Sequence, residues 1–139
     1  VLFLLVVIFC KKMLSIIGIN HVAIYVADVA QSVEFYEKIV RLTPLARPAF
    51  DFPGAWFKIG DAQELHIIGI RTEPVVSGSR SNHFALEVSD LDAWEAHFKA
   101  TNTTYHPPKF RPDGVRQIFL QDPDGYWIEF FSRKGNQLI

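Results

Sequence analysis

Two stretches of the sequence, HVAIYVADV at residues 21–29 and HFALEVSDL at residues 83–91, follow one pattern and start 62 residues apart. Each opens with His, carries Ala two positions later and has an aliphatic residue in fourth place. Val follows five positions after the His and Asp seven positions after it. The apolar alternation is typical of a β-strand, and the Asp is a good N-cap for a helix. The repeat therefore predicts two copies of one structural module.

The first module begins with a strand followed by a helix. A strand is predicted over residues 16–26, where β-branched residues dominate a largely alternating run. A helix is predicted over residues 29–40, capped by Asp28 or Ser32. Its apolar face is expected to carry Val33, Tyr36 and Val40.

Proline residues end this helical pattern, and strands follow it. Pro44 and Pro48 are incompatible with a continuing helix. Strands are predicted over residues 54–60 and 63–70, which are joined by turn-forming residues. Residues 73–82 are rich in small and polar side chains and are expected to link the two modules.

The second module repeats the order of the first. A strand is predicted over residues 83–89, and Asp90 is expected to cap a helix over residues 91–100. Strands over residues 114–120 and 126–131 are separated by a run of turn formers. Each module thus has a strand, a helix and two or three further strands. The second helix is expected to bury Leu91, Trp94 and Phe98.

Neither module buries enough apolar surface to be stable alone, so a single α+β domain is predicted. Its expected bounds are residues 16–131, with modules at about 16–72 and 82–131 and a tail at 132–139. Residues 1–15 are expected to form an apolar extension.

The extension opens with the apolar run VLFLLVVIFC, followed by Lys11, Lys12 and Met13. A spanning helix needs about 20 apolar residues, and a signal peptide carries its positive charge before the apolar run. The favoured interpretation is a start at Met13, with residues 1–12 contributed by an overextended gene model. A clipped membrane anchor and an additional strand of the sheet are the alternatives.

Composition excludes some classes of partner. The net charge is −1 and no block of like charge is present, so nucleic acid is not expected as a partner. No membrane partner is expected either. The single cysteine, Cys10, permits no internal disulfide and fits a reducing, cytoplasmic location.

The repeat also pairs polar residues in the last strands of the modules. His66 lies 45 residues after His21, and Glu129 lies 46 residues after His83. Each is flanked by apolar residues that point to the opposite face of its strand. Three imidazoles and a carboxylate suit a divalent ion such as zinc, nickel, cobalt, manganese or iron(II). The four side chains are therefore the predicted metal ligands, with Glu129 doubling as a base.

Other polar residues compete less well for these roles. Glu64 precedes His66 by two positions on the same face, but the repeat aligns it with Trp127, which favours His66. His97 is expected on a solvated helix face, and His106 in a connection before two prolines.

Four segments together resemble the glyoxalase, bleomycin-resistance and extradiol dioxygenase superfamily, also called vicinal oxygen chelate proteins. They span residues 19–44, 52–69, 82–98 and 118–131, and the last contains the turn DPDG followed by IEF. The resemblance covers about residues 16–131. It implies two tandem βαβββ modules that form a cupped mixed sheet with flanking helices around one divalent metal. The ligands it implies are His21, His66, His83 and Glu129.

The resemblance implies several activities. The first is a glyoxalase I-like lyase or isomerase acting on a small substrate with vicinal oxygens, such as a thiol adduct of a 2-oxoaldehyde, with glutathione or another thiol as cosubstrate. Glyoxalase I proteins often have Glu where this chain has His66. A fosfomycin-type thiol transferase, a drug-binding resistance protein and a small iron(II) dioxygenase are the alternatives. The transferases and dioxygenases use two His and one Glu, which match His21, His83 and Glu129.

Candidate substrate contacts and partners complete these expectations. Arg47, Trp56 and Arg116 are the predicted substrate-binding residues, because an arginine near a metal can hold a carboxylate or phosphonate bidentately. Single-domain members of the family are commonly homodimers, sometimes with ligands for one site drawn from two chains, so a homodimer is expected.

Overall fold

The computed structural model describes residues 14–76 and 79–133. The predicted start at Met13, the apolar run before it and all but the first residues of the 132–139 tail lie outside the described residues. Within the described part of the chain, no helix is both long enough and apolar enough to cross a membrane.

The first module contains one helix and a mixed four-stranded sheet. The strand order is β1-β4-β3-β2, in which β1 and β4 are parallel and the other neighbours antiparallel. Its elements are β1 (His21–Val26), α1 (Val29–Lys38), β2 (Thr43–Leu45), β3 (Gly54–Ile59) and β4 (Gln63–Gly69).

The second module has the same order of elements. Its sheet has the strand order β5-β8-β7-β6, again with one parallel pair, β5 and β8. Its elements are β5 (His83–Glu87), α2 (Leu91–Ala100), β6 (Tyr105–Phe110), β7 (Arg116–Gln121) and β8 (Trp127–Ser132). The predicted tandem βαβββ fold is confirmed.

The strand registers of the two modules correspond. Ala23 lies opposite His66 in the first parallel pair, and Ala85 lies opposite Glu129 in the second. The equivalence of His66 and Glu129, inferred from sequence spacing, is therefore confirmed.

Both helices begin at the repeated aspartates. The side chain of Asp28 accepts a hydrogen bond from the amide of Gln31, and Asp90 caps α2 in the same way. Ser32, the alternative cap, is instead a buried residue inside α1. The predicted helix faces contribute to one hydrophobic core that includes Ile24, Val26, Tyr36, Val40, Phe57, Leu65, Ile67, Leu86, Leu91, Phe98, Ile118, Leu120, Ile128 and Phe130.

Two edge strands, β2 and β6, complete the βαβββ modules at residues to which the sequence pattern assigned no strand. Pro44 lies within β2, and two prolines lie within β6, where the register shifts between His106 and Lys109. His106 therefore belongs to a strand rather than to a connection. Proline cannot donate a ladder hydrogen bond, so it is tolerated at the edges of sheets and at bulges, which is where β2 and β6 lie.

The prediction for His97 was also wrong. Its Nε2 lies 3.1 Å from the carbonyl oxygen of Ile39 just after α1, and its ring packs edge-on against Trp94 at 5.7 Å. His97 thus joins the two helices and is not a solvated surface residue.

The turn between β7 and β8 fastens the second module to the first. The carboxylate of Asp124 accepts hydrogen bonds from the amide of Ala27 at 2.8 Å and the hydroxyl of Ser32 at 3.3 Å, and it pairs with Arg71. The hydroxyl of Tyr36 also donates to Asp122 at 2.9 Å. These contacts join the end of β1 and the start of α1 to the far end of the chain.

Candidate metal centre

The second module brings two predicted ligands together. His83 begins β5 and Glu129 lies in β8, the strand paired with β5. The Nε2 atom of His83 is 2.8 Å from Oε2 of Glu129, and the two side chains are 26% and 7% exposed, respectively. This pair is termed the second half-site.

A backbone carbonyl fixes which nitrogen of His83 carries hydrogen. The Nδ1 atom lies 2.6 Å from the carbonyl oxygen of Arg80, and a carbonyl can only accept a hydrogen bond. Nδ1 is therefore a donor, and when the ring carries no second proton, Nε2 presents its lone pair to the carboxylate of Glu129. Two acceptors at this distance require a positive charge between them, which is supplied by a proton or by a metal ion.

The other carboxylate oxygen of Glu129 has unmet bonding capacity. Among the described residues, Oε1 is buried and has no hydrogen-bond partner. Nη1 of Arg111 lies 4.0 Å away, which is beyond hydrogen-bonding distance. A buried carboxylate oxygen without a partner costs free energy, so this atom suits a cation or a proton-donating substrate group.

Phe119 forms the wall of this half-site, whereas Arg116 faces away from it. The Phe119 ring meets His83 edge-on at 5.1 Å, and the guanidinium group of Arg80 lies 5.4 Å from the same ring. Arg116 lies on the opposite face of β7, where its Nη1 donates to Asp92 at 2.7 Å. The structure therefore does not bring Arg116 to the predicted ligands.

The first module supports its leading histidine in a similar way. His21 begins β1, and its Nδ1 lies 2.8 Å from the side-chain oxygen of Asn20. Because that oxygen accepts, Nδ1 donates and Nε2 keeps a free lone pair. Glu64 lies opposite His21 in the register of β1 and β4. His21, Glu64 and His66 are termed the first half-site.

His66 is enclosed within a stack of rings. Its ring centroid lies 4.1 Å from that of His21 at an interplanar angle of 13°, and 4.1 Å from that of Trp56 at 6°. Its Nε2 is 2.7 Å from Oε2 of Glu64. The predicted substrate residue Trp56 thus lies in the site as a stacking partner of His66.

Arg47 is held by its own loop. Its guanidinium carbon lies 4.7 Å from the ring centroid of Phe50 and 4.8 Å from that of Phe52, and Nη2 donates to the carbonyl of Phe52 at 2.9 Å. These contacts hold the two rings beside Trp56, whose ring lies 6.0 Å from that of Phe50.

The two half-sites lie on different sheets. Within residues 14–76 and 79–133, no three His, Cys, Asp or Glu side chains are grouped closely enough to hold a metal ion. A cleft of about 990 Å³ is lined by residues of both modules, including His21, Glu64 and His83. One chain therefore offers two partial sets of donors.

The chemistry of these donors fits a divalent ion. Imidazole and carboxylate together are typical ligands of zinc, nickel, cobalt, manganese and iron(II). The strongest observation is the second half-site, where the Nε2 lone pair of His83 and the buried, unpartnered oxygen of Glu129 are available to a cation. In both half-sites the Nδ1 atom of the leading histidine is bound by an outer acceptor, as is usual for metal-binding histidines.

Several supporting residues were not predicted. Arg80 and Arg111 reach the second half-site from loops, and no pattern in the sequence indicates their contacts. The contact of Asn20 could have been predicted from the sequence, because an asparagine stands immediately before each of the two leading histidines, at positions 20 and 82. Glu64 contacts the imidazole of His66 within β4, and the sequence repeat gives no sign of this contact.

The chain belongs to the Glyoxalase/Bleomycin resistance protein/Dioxygenase superfamily, which it matches over residues 18–130. It is 26% identical over 125 residues to Glyoxylase I 4 of Arabidopsis thaliana, covering 84% of this chain and 71% of that protein. It is 27% identical over 123 residues to a metallothiol transferase of Bacillus licheniformis, covering 85% and 77%. A crystal structure of a putative glyoxalase family protein from Bacillus anthracis superposes with a TM-score of 0.71 at 27% identity, covering 86% of this chain and 98% of that one.

Proposed function

We propose that this protein is a divalent-metal-dependent enzyme of the glyoxalase I type. It acts as a lyase or isomerase on a small substrate with two neighbouring oxygens, such as a glutathione or other thiol adduct of a 2-oxoaldehyde. The proposal depends above all on the second half-site, where His83 and Glu129 present a lone pair and a buried, unpartnered carboxylate oxygen. The similarity to Glyoxylase I 4 of Arabidopsis thaliana supports it.

The metal ligands in this proposal come from both modules. His21 and His83 would bind through Nε2, because Nδ1 of each is bound to an oxygen acceptor. Glu129 would bind through its carboxylate, and the predicted fourth ligand is His66, with Glu64 as its competitor. When bound, a divalent ion supplies Lewis-acid polarisation of two adjacent substrate oxygens.

Glu129 is the candidate base of this reaction. Its Oε1 atom is buried and without a partner among the described residues, so it is available to take a proton from one substrate carbon and return it to the next. Trp56 and Phe119 border the two half-sites and would keep water from the reacting carbons.

The proposal includes a homodimer, because the two half-sites lie on different sheets of one chain. Because the described part of one chain assembles no group of three donors, a second copy is proposed to bring its second half-site to the first half-site of its partner. Two-fold symmetry then creates two equivalent sites, each with ligands from both chains.

The proposed activity is tested by reconstitution and assay. Purified protein is analysed for bound metal, stripped, and reloaded with nickel, cobalt, zinc or manganese, and conversion of the methylglyoxal–glutathione adduct is measured. Glu129→Gln is expected to lower turnover by roughly 10²–10⁴-fold, the usual contribution of a general acid–base group.

Glu37→Gln serves as the matched control, because Glu37 is exposed on α1 and does not line the cleft that contains His21 and His83. This variant should keep the activity of the wild type. Absence of turnover with all four metals would refute the glyoxalase proposal while leaving the fold unaffected.

A thiol transferase is the second candidate. The proposed metal ligands His21, His83 and Glu129 match the two His and one Glu of fosfomycin-type transferases. A metallothiol transferase is also among the similar proteins. Metal-dependent addition of a thiol to fosfomycin, without turnover of the 2-oxoaldehyde adduct, would favour this alternative.

A further inference from the structure

Two exposed aromatic side chains lie on the loop between β2 and β3. Phe50 and Phe52 are 45% and 36% exposed, and their ring centroids are 5.1 Å apart at an interplanar angle of 26°. Exposed apolar rings gain free energy when another apolar surface removes them from water. Two such rings held in contact on one loop are therefore a candidate binding surface.

The loop holds these rings in a fixed position. The amide of Phe50 donates to the carbonyl of Pro48 at 2.8 Å, and the amide of Gly69 in β4 donates to the carbonyl of Pro53 at 2.9 Å. The two prolines also fix their own φ angles. A ligand that binds here would lose little free energy in ordering the loop.

Arg47 supports the rings and is not placed to bind an anion. Its guanidinium group lies over Phe50 and Phe52, and Nη2 donates to the carbonyl of Phe52. Nε is buried and, within the described residues, has no hydrogen-bond partner. A Cβ atom on Gly54 would lie 3.3 Å from both nitrogens. The Nε–Nη2 edge, one of the two that bind a carboxylate bidentately, thus faces the protein.

The exposed rings continue into the first half-site. The ring of Phe50 lies 6.0 Å from that of Trp56, which stacks on His66 at 4.1 Å. Trp56 is opposite His66 in the register of β3 and β4, so both side chains are on one face of the sheet. Phe50, Phe52 and Trp56 are termed the aromatic platform. A substrate bound at the first half-site would lie beside it.

We infer that the aromatic platform binds an aromatic group of the substrate and sets the specificity of the enzyme. The substrate is then a thiol adduct of an aryl 2-oxoaldehyde, because a flat ring stacks on these side chains better than a methyl group does. Phe50 and Phe52 determine specificity, and Arg47 is a positioning residue that holds their rings. This inference rests on the proposed function and narrows its substrate class.

The preference is tested with two glutathione adducts, those of 2-naphthylglyoxal and methylglyoxal. The wild type should have the higher kcat/KM for the naphthyl adduct. Phe50→Ala and Phe52→Ala should each lower the ratio of the two kcat/KM values by about 10-fold, since each removes a stacking ring. Phe110→Ala is the matched control, because Phe110 is 73% exposed on β6 of the other module, and it should leave the ratio unchanged.

Two variants of Arg47 test its positioning role. Arg47→Met should raise KM for the naphthyl adduct with little change in kcat, because the rings lose their support while the reacting groups stay in place. Arg47→Lys keeps a cation available to the rings and should retain part of the preference. If Arg47 only stabilised the fold, Arg47→Met would lower the activity on both adducts alike.

A binding measurement examines the platform without turnover. S-(2-naphthylmethyl)glutathione and S-methylglutathione are titrated into the wild type and into Phe50→Ala by isothermal titration calorimetry. The wild type should bind the naphthyl compound about 10-fold more tightly than the methyl compound. Phe50→Ala should lose most of this difference, whereas Phe110→Ala should keep it.

The possible outcomes are distinct. The inference is wrong if the wild type prefers the methylglyoxal adduct, or if Phe50→Ala and Phe110→Ala change the ratio alike. It is also wrong if Phe50→Ala and Phe52→Ala alter the sedimentation of the protein but not the ratio, because the rings would then belong to an interface. If the wild type converts neither adduct, the proposed function fails, and the titration alone decides whether the platform binds an aromatic group.

Discussion

Among single residues, Asp122 gives a testable dependence of stability on pH. Its carboxyl group is buried at the junction of the modules and accepts hydrogen bonds from the Tyr36 hydroxyl and from the amides of Asp124 and Tyr126. Burial nevertheless raises the pKa of Asp122, because removal of the charged form from water outweighs these bonds. The folded state therefore holds this proton more tightly than the unfolded state.

The sign of the effect on stability follows by linkage. A carboxyl group with a raised folded-state pKa stabilises the fold fully below its unfolded pKa, and this contribution is lost as the pH rises through the folded pKa. Asp122→Asn removes the titration. Between pH 4 and pH 7 the variant should gain free energy of unfolding relative to the wild type, as measured by urea denaturation at several pH values.

Asp61→Asn, in the exposed turn before β4, is measured in parallel as the control for an Asp-to-Asn change outside the module junction. If the free energy of unfolding of Asp122→Asn differs from that of the wild type by the same amount at every pH, this carboxyl group is not the source of the pH dependence.

The metal-competent residues show what sequence can and cannot predict at this scale. The repeat places His21, His83 and Glu129 correctly at the starts and centres of their strands. It also identifies His66 as the structural counterpart of Glu129. The hydrogen bond to Glu64 and the stacking on Trp56 are local contacts of the first module alone, so no symmetry of the sequence could reveal them.

At the level of elements, β3 begins with a glycine packed tightly against its neighbours. A Cβ atom on Gly54 would lie 2.3 Å from the carbonyl oxygen of Ile67 and 3.3 Å from Nε of Arg47. The oxygen belongs to the backbone of β4 and cannot move without disturbing the sheet. Gly54 therefore permits both the pairing of β3 with β4 and the position of Arg47.

Gly54→Ala is expected to lower the free energy of unfolding by about 1–3 kcal/mol, the usual cost of overpacking. Gly18→Ala is the matched control, since a Cβ atom there has no neighbour within 4 Å, and its effect should stay within about 0.5 kcal/mol. Urea denaturation of both variants measures the difference. Equal stability of the two variants would show that the strand start is free to move.

The strands and helices differ in how readily the sequence predicts them. The strands β1, β3, β4, β5, β7 and β8 carry apolar patterns typical of strands and were predicted from the sequence. The edge strands β2 and β6 contain proline, which usually marks a turn. Their sequence therefore predicted a connection and not a strand. Their strand conformation depends on a neighbouring strand that only the folded sheet provides.

For the whole molecule, the separation of the two half-sites is the feature that matters most. Each module contributes donors on its own sheet, and the described part of the chain gathers no complete set. The sequence predicted the duplicated fold, whereas the repeat predicts nothing about the surfaces through which the proposed second copy would bind.

The proposed shared site predicts complementation between inactive variants. His21→Ala and Glu129→Gln should each be inactive, whereas a mixture of the two, after subunit exchange, should recover about a quarter of wild-type activity. The reason is that half of the randomly formed dimers are mixed and each contains one intact site. Native mass spectrometry, with one variant labelled with ¹⁵N, measures the fraction of mixed dimers.

A mixture of His83→Ala and Glu129→Gln is the control, because both changes lie in the second half-site and no combination restores it. If the first mixture stays inactive although mixed dimers form, each site is built within one chain.

The attachment of Asp124 to Ala27 and Ser32 has a consequence for the order of events on the ribosome. The segment that follows β1 leaves the exit tunnel long before Asp124 is translated. The amide of Ala27 and the hydroxyl of Ser32 must therefore first form hydrogen bonds with water. The amino-terminal half therefore acquires these contacts only after Asp124 has been translated.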